Sequence, residues 1–365
     1  MLSAVVALGV LIFVHELGHF LVAKRVGILV ETFSLGFGPK LLRRRFGETE
    51  YVLSAVPLGG YVKMYGEEPG SLEAAAKEAD AAGQQPQGAP PIDPARAFST
   101  QSVGKRLSVV AAGPFFNFFL AVFVFVVVYL IGVPVLKPSV GEVRQDMPAA
   151  AAGVQPGDLI VALEGREVKS WDELTAVVRQ KANVPVKFTI QRENRIFDLT
   201  ITPTSRTDTN LFGEKEEVGI VGIVAGGDYF TQRYNPIAAI GKGFAETWKI
   251  ISLTITAIVK IVQGVIPAKS IGGPILIFTT AGKVAEMGLL PYAQFVALIS
   301  INLGILNLLP IPLLDGGHIF FFSIEALTGR PVSVRKREIA QQVGLAFLIL
   351  LMLFAVFNDI SRMIQ

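Results

Sequence analysis

The chain has 365 residues; 51% are of hydrophobic type and only 17% are charged, where soluble domains carry roughly a quarter. Mean hydropathy is +0.52, which reads as a membrane protein with polar stretches between its apolar ones. A net charge of +3 is too mild to argue for nucleic acid, and the absence of cysteine excludes disulfides, a thiolate nucleophile and cysteine metal sites, so any metal site must draw on carboxylates and the 3 histidines.

The first expected element is a membrane span over residues 1–26, since about 20 mostly apolar residues cross a bilayer. It contains "VHELGH", Val14 to His19. A cleaved signal peptide fits it poorly: no basic stretch precedes the apolar run, and Lys24–Arg25 follows it. Buried ionisable groups in a span are costly, and by default they mark function. His15 and His19 lie one helical turn apart on one face, so two imidazoles can reach one zinc ion with Glu16 beside them as general base.

Residues 27–104 read as a cytoplasmic, membrane-associated hairpin region holding "PLGGYVKM", with a flexible loop over 67–97 that is rich in Ala, Gly, Gln, Pro and acidic residues. A second span is expected over 105–133. Beyond it, residues 137–204 read as a small soluble domain. Short strands flank a helix opened by a capping box, with Ser170 as cap and Glu173 three residues on, and a hairpin turns at Glu193–Asn194. Its order, and "AGVQPGDLIVALEG" in particular, resemble a bacterial PDZ domain, which binds extended peptide by strand addition; a purely structural domain is the alternative. Residues 205–290 are expected to hold an amphipathic helix over Ile237–Val265, on the outer membrane surface or packed on the bundle, because Lys249 and Lys260 leave too short an apolar run for a fifth span.

A third span is expected over 291–328, broken by prolines and glycines in "NLLPIPLLDGGH", then a loop over 329–340 and a last span over 341–362. The basic groups Lys24–Arg25 with Lys40 and Arg43–Arg45, Lys105–Arg106, and Arg330 with Arg335–Arg337 fall on one side of four spans, which makes that side cytoplasmic and both termini external. A catalytic zinc needs a third protein ligand and an open position. From spacing alone Asp315 and His318 are both candidates. Pro310 and Pro312 break the helix just before them, and free backbone groups at membrane depth are tolerated where they line a cavity.

"HELGH", "PLGGYVKM", "AAGPFFNF", the PDZ-like segment, "SIGGPI" and "NLLPIPLLDGGH" occur in one order over nearly the whole chain. Together they resemble the site-2 proteases, intramembrane zinc metalloproteases, of the bacterial regulator-of-sigma-E type. The resemblance implies a polytopic α-helical protein of the bacterial inner membrane. It would have four transmembrane helices, a membrane-associated β-hairpin and one periplasmic PDZ domain, where the best-known members carry two. It implies one Zn2+ per chain on His15, His19 and Asp315, with Glu16 as catalytic base and His318 a structural neighbour of the site. Asn307, Gly59, Gly60, Tyr61, Val62, Pro310 and Pro312 would meet the substrate. The implied substrates are transmembrane segments of pre-trimmed single-span proteins, anti-sigma factors first and remnant signal peptides second. Implied partners are membrane lipid and a peptide at the PDZ domain, with no nucleic acid. A reading of another class, a non-catalytic PDZ-bearing membrane scaffold, would leave the intact His15, Glu16, His19 and Asp315 without a purpose.

Overall fold

A computed structural model describes residues 2–67 and 93–364; most of the loop expected over 67–97 lies outside the described residues. The chain forms two compact units. One comprises 1–126, 240–255 and 268–365; the other comprises 127–239 and 256–267.

Among the described residues four helices are long and apolar enough to cross a membrane. They are α1 (Leu2–Arg25), α2 (Val103–Ile131), α7 (Leu289–Leu308) and α9 (Val334–Ile364). Each holds a long, strongly apolar stretch, as a helix that faces lipid must. Phe119, Phe123, Leu350 and Leu353 are all more than half exposed, which is costly only in water. Where the helices approach closely, glycine is required. A Cβ on Gly18 of α1 would lie 2.6 Å from the Ala112 carbonyl oxygen, and one on Gly304 of α7 would lie 2.8 Å from the Phe118 ring.

After α1 the chain enters an antiparallel pair, β1 (Val30–Phe46) and β2 (Thr49–Met64). Each strand bends and pairs twice. Residues 32–35 bond to 60–63 on one side and to 50–53 on the other, while 42–46 pair with 49–53. The result behaves as four short strands, with 60–64 at one edge. Phe20, Ile28, Val30, Phe33, Val62, Met64 and Val109 form the core beneath it.

The third apolar segment is not one helix. Helix α7 ends at Leu308, residues 309–314 form a tight non-helical bend, and α8 (Asp315–Thr328) restarts. Pro310 and Pro312 carry no N–H to continue the helical ladder. Leu313 adopts φ 115°. The bend folds back on the start of α8 so closely that a Cβ on Gly316 would lie 2.1 Å from the Leu309 oxygen, and one on Gly317 2.5 Å from the Ile311 oxygen. The pair of glycines is therefore a packing requirement. Between Gly273 and α9, α6 (Pro274–Glu286) is capped from a distance: the buried Asp359 carboxylate accepts from the Gly273 and Leu276 N–H groups at 2.9 and 3.0 Å.

The second unit begins with β3 (Val133–Leu136), β4 (Val140–Val143) and the short α3 (Pro148–Ala151), and has a four-stranded sheet in the order β6 (Arg166–Glu167), β5 (Leu159–Leu163), β7 (Val186–Arg192), β8 (Arg195–Ile201). Helix α4 (Trp171–Arg179) packs with it, and Ser170 caps that helix by accepting from the Glu173 N–H at 3.1 Å. Strands β9 (Thr204–Thr209), β10 (Lys215–Ile220), β11 (Ile223–Ala225) and β12 (Tyr229–Gln232) follow. They fall in residues that the sequence reading assigned to an amphipathic-helix region. Val221 belongs to the core of Val140, Ile160, Leu174, Phe188 and Ile190, with Ile223 packed against it. The unit closes over its core only with these later strands. Helix α5 (Pro236–Val262) then runs through the stretch expected to be amphipathic.

Candidate metal centre

The site is assembled within the first unit from three helices and a strand edge. His15 and His19 sit on α1, both buried, with Nε2 atoms 3.2 Å apart and rings edge to face. Asp315 opens α8, where the positive end of the helix dipole favours a carboxylate. Its Oδ2 lies 3.1 Å from His15 Nε2 and its Oδ1 3.6 Å from His19 Nε2.

These three side chains can each aim one ligand atom into a common space, the atoms all lying within 4.8 Å of one another. Tetrahedral zinc ligands at about 2.0–2.1 Å from the metal are roughly 3.3 Å apart, which matches the observed separations. Asp315 Oδ2 is buried and has no well-aligned hydrogen-bond partner, although Nε2 of His15 lies 3.1 Å away. The atoms converge on a shared point rather than on each other. A buried carboxylate oxygen without a partner is costly, and a bound cation relieves that cost.

A cavity of about 590 Å³ adjoins the cluster and is lined by Glu16, Tyr61, Val62, Asn307 and His318, among others. The main chain of Val62 lies within hydrogen-bonding reach of the Glu16 carboxylate. Gly60 packs so close that a Cβ there would lie 3.2 Å from Glu16 Cγ. Gly59, Gly60, Pro310 and Pro312 are not among the lining residues. A Cβ on Gly59 would collide with the Phe37 ring, and the Pro312 oxygen lies against Gly344 of α9. His318 lines the cavity but stands outside the ligand cluster.

The sequence profile of Peptidase family M50 matches residues 3–351. The chain belongs to peptidase family M50. It is 38% identical to a putative zinc metalloprotease of Agrobacterium fabrum, over 99% of this chain and 95% of that one. It is 33% identical to the regulator of sigma-E protease RseP of Salmonella typhimurium over 98% of each, in an alignment of 465 residues that exceeds this chain's own length. It is 32% identical to zinc metalloprotease RasP of Geobacillus kaustophilus over 99% and 97%. Locally, the PDZ domain of an SdrC-like protein from Listeria innocua matches 24% of this chain at 26% identity and a TM-score of 0.20, too low to define a fold. This M50 peptidase is a zinc metalloendopeptidase with four candidate membrane helices.

The M50 site also draws on residues of α2 that spacing alone does not single out. Helix α2 runs antiparallel to α1, and its "AAGPFFNF" stretch lies along the histidines. A Cβ on Gly113 would lie 2.3 Å from His19 Nε2 and 2.7 Å from His15 Cε1, so only glycine leaves room for both rings. His19 Nδ1 faces the Val109 carbonyl at 2.8 Å. His15 Nδ1 faces the Asn117 amide at 3.2 Å. At the other end of the cavity Arg106 makes a bidentate pair with Glu325 at 2.6 and 3.1 Å and stacks on Phe322. The available signal for Gly113 and Asn117 was a glycine and an asparagine in an otherwise apolar span.

Proposed function

We propose that His15, His19 and Asp315 hold the zinc ion and that Glu16 is the catalytic base of an endopeptidase acting on transmembrane segments. The observation that carries this reading is the convergence of three ligand atoms beside Glu16, on helices whose outer surfaces are apolar. The bound ion supplies Lewis-acid polarisation of the scissile carbonyl and acidification of water. Glu16 takes the proton from the attacking water on its carboxylate and passes it to the leaving amide nitrogen. The Val62 main chain keeps that carboxylate turned toward the cavity.

The substrate's difficulty is that a transmembrane helix hides its peptide bonds in its own hydrogen bonds. Residues 60–64 pair with β1 on one side only, and their other edge has no strand partner among the described residues. An unwound segment laid along that edge regains main-chain partners. Asn307 then offers its side-chain amide to the substrate backbone from the opposite wall. Gly60, Tyr61 and Val62 act through this edge; Gly59, Pro310 and Pro312 shape the walls rather than touch substrate.

The substrates are single-span proteins already trimmed on their outer side, of the anti-sigma-factor type, with remnant signal peptides as a second class. The name of the Salmonella typhimurium relative supports the first. The protein sits in the bacterial inner membrane, with both termini and residues 137–204 periplasmic and the site toward the cytoplasm. Support comes from the basic side chains that flank the spans and from Lys24–Arg25, only five residues beyond His19 or about 8 Å along a helix. In the second unit a groove of about 240 Å³ between α4 and residues 219–223 is lined by Met147, Trp171, Leu174 and Val178, which suits peptide binding.

Purified protein in detergent tests the assignment. Wild type should cut a transmembrane reporter, and Glu16→Gln should keep its zinc and lose cleavage. A Glu16→Gln protein that still cuts at the wild-type rate refutes the base.

A further inference from the structure

We infer that Asn117 is a positioning residue that fixes the tautomer of His15, presenting its side-chain oxygen to the His15 Nδ1–H when metal is bound. The inference rests on the ligand assignment proposed above for His15.

The two histidines are both tied to α2 through Nδ1, but by different kinds of group. His19 Nδ1 lies 2.8 Å from the Val109 carbonyl oxygen. A carbonyl can only accept, so Nδ1 of His19 carries the proton and Nε2 keeps its lone pair for a metal. His15 Nδ1 lies 3.2 Å from the nitrogen of the Asn117 amide. That nitrogen can only donate, so in this arrangement Nδ1 of His15 is the acceptor and Nε2 carries the proton. A protonated Nε2 is no ligand.

Asn117 can resolve this conflict by itself. The residue is fully buried, and its Oδ1 makes no hydrogen bond, which is costly in so enclosed a place. Rotating the amide by half a turn exchanges oxygen and nitrogen with almost no change of shape. Oδ1 then faces Nδ1 of His15 and accepts its proton, and Nε2 is freed toward Asp315 and His19. One rotation gives the orphaned oxygen a partner and makes His15 a ligand. The backbone does not have to move: Asn117's own carbonyl is held by the Ser300 hydroxyl of α7 at 2.7 Å, and Gly113, one turn earlier, keeps the rings against the helix. In that orientation the asparagine gives His15 the acceptor that the Val109 carbonyl gives His19.

The first test uses wild type, so folding of a variant is not at issue. The chain has only 3 histidines, so zinc-loaded protein labelled with 15N-histidine gives a simple spectrum. His15 should show a protonated Nδ1 and a metal-bound Nε2; a protonated Nε2, or ligation through Nδ1, overturns the inference. The second test measures zinc affinity against a competing chelator in detergent. Asn117→Leu, which keeps the shape and removes the acceptor, should weaken binding about 10- to 100-fold. Asn117→Asp, whose carboxylate accepts at Nδ1 with either oxygen, should bind within a few-fold of wild type. Unchanged affinity in Asn117→Leu, or equal weakening in both variants, contradicts the assignment.

Discussion

Both units of this M50 peptidase bury an apolar core, but they differ in how many polar groups they bury beside it. In the sheet-containing unit the interior is Val140, Ile160, Leu174, Val186, Phe188, Ile190 and Ile201; Lys187 pairs with Asp198 at the surface, and the buried Asp158 is held by Arg192. The helical unit buries His15, His19, Arg106, Asn117, Ser300, Asn358 and Asp359, while large apolar side chains of α2 and α9 stand exposed. Each pattern follows from the solvent. In water, burial of apolar surface drives folding. In lipid that gain is absent between helices, so polar groups and small-residue contacts specify the assembly. A polar residue inside the helical unit is therefore informative, and an exposed leucine there is not.

That contrast can be broken in several places. The largest effect should come from Glu16→Gln, with cleavage of a transmembrane reporter falling roughly 10²- to 10⁴-fold while zinc content and thermal stability stay near wild type. Next is the buried pair of Arg106 and Glu325. Glu325→Gln leaves Arg106 with an uncompensated charge and should cost about 3–5 kcal/mol, read as a loss of thermal stability of the detergent-solubilised protein. A similar cost measured for Lys187→Gln, whose pair is solvent-exposed, would erase the distinction drawn here. In the sheet-containing unit Phe188→Ala should also cost about 3–5 kcal/mol through the cavity it leaves, yet zinc per chain should not change. The smallest effect is Ser170→Ala, which removes the α4 cap and should cost about 1 kcal/mol, detectable as earlier proteolysis of the sheet-containing unit.

How legible these features were in the sequence differs by region for physical reasons. The HExxH histidines and the broken helix at Pro310–Pro312 declare themselves, because a polar or helix-breaking residue in an apolar run is a strong local signal. The pairing of α1 with Asp315 spans some three hundred residues. Periodicity could not choose between Asp315 and His318 there, whereas the fold puts the carboxylate on the histidines and His318 farther along the cavity wall. Strands β10 and β11 are obscured by their own composition, with Gly213, Gly219, Gly222, Gly226 and Gly227 in and around them. Yet Gly219 is where the backbone passes so near α4 that a Cβ would lie 2.4 Å from the Val178 oxygen. Gly113 and Asn117 were hidden for the opposite reason. Each sits in a strongly apolar helix, and its purpose lies on the neighbouring one.

The zinc content of purified wild type and Asp315→Asn, measured side by side by metal analysis, tests the ligand set most directly. Wild type should hold about one zinc per chain and Asp315→Asn clearly less, with both proteins equally folded. Full zinc occupancy in Asp315→Asn would contradict it and move the third ligand elsewhere.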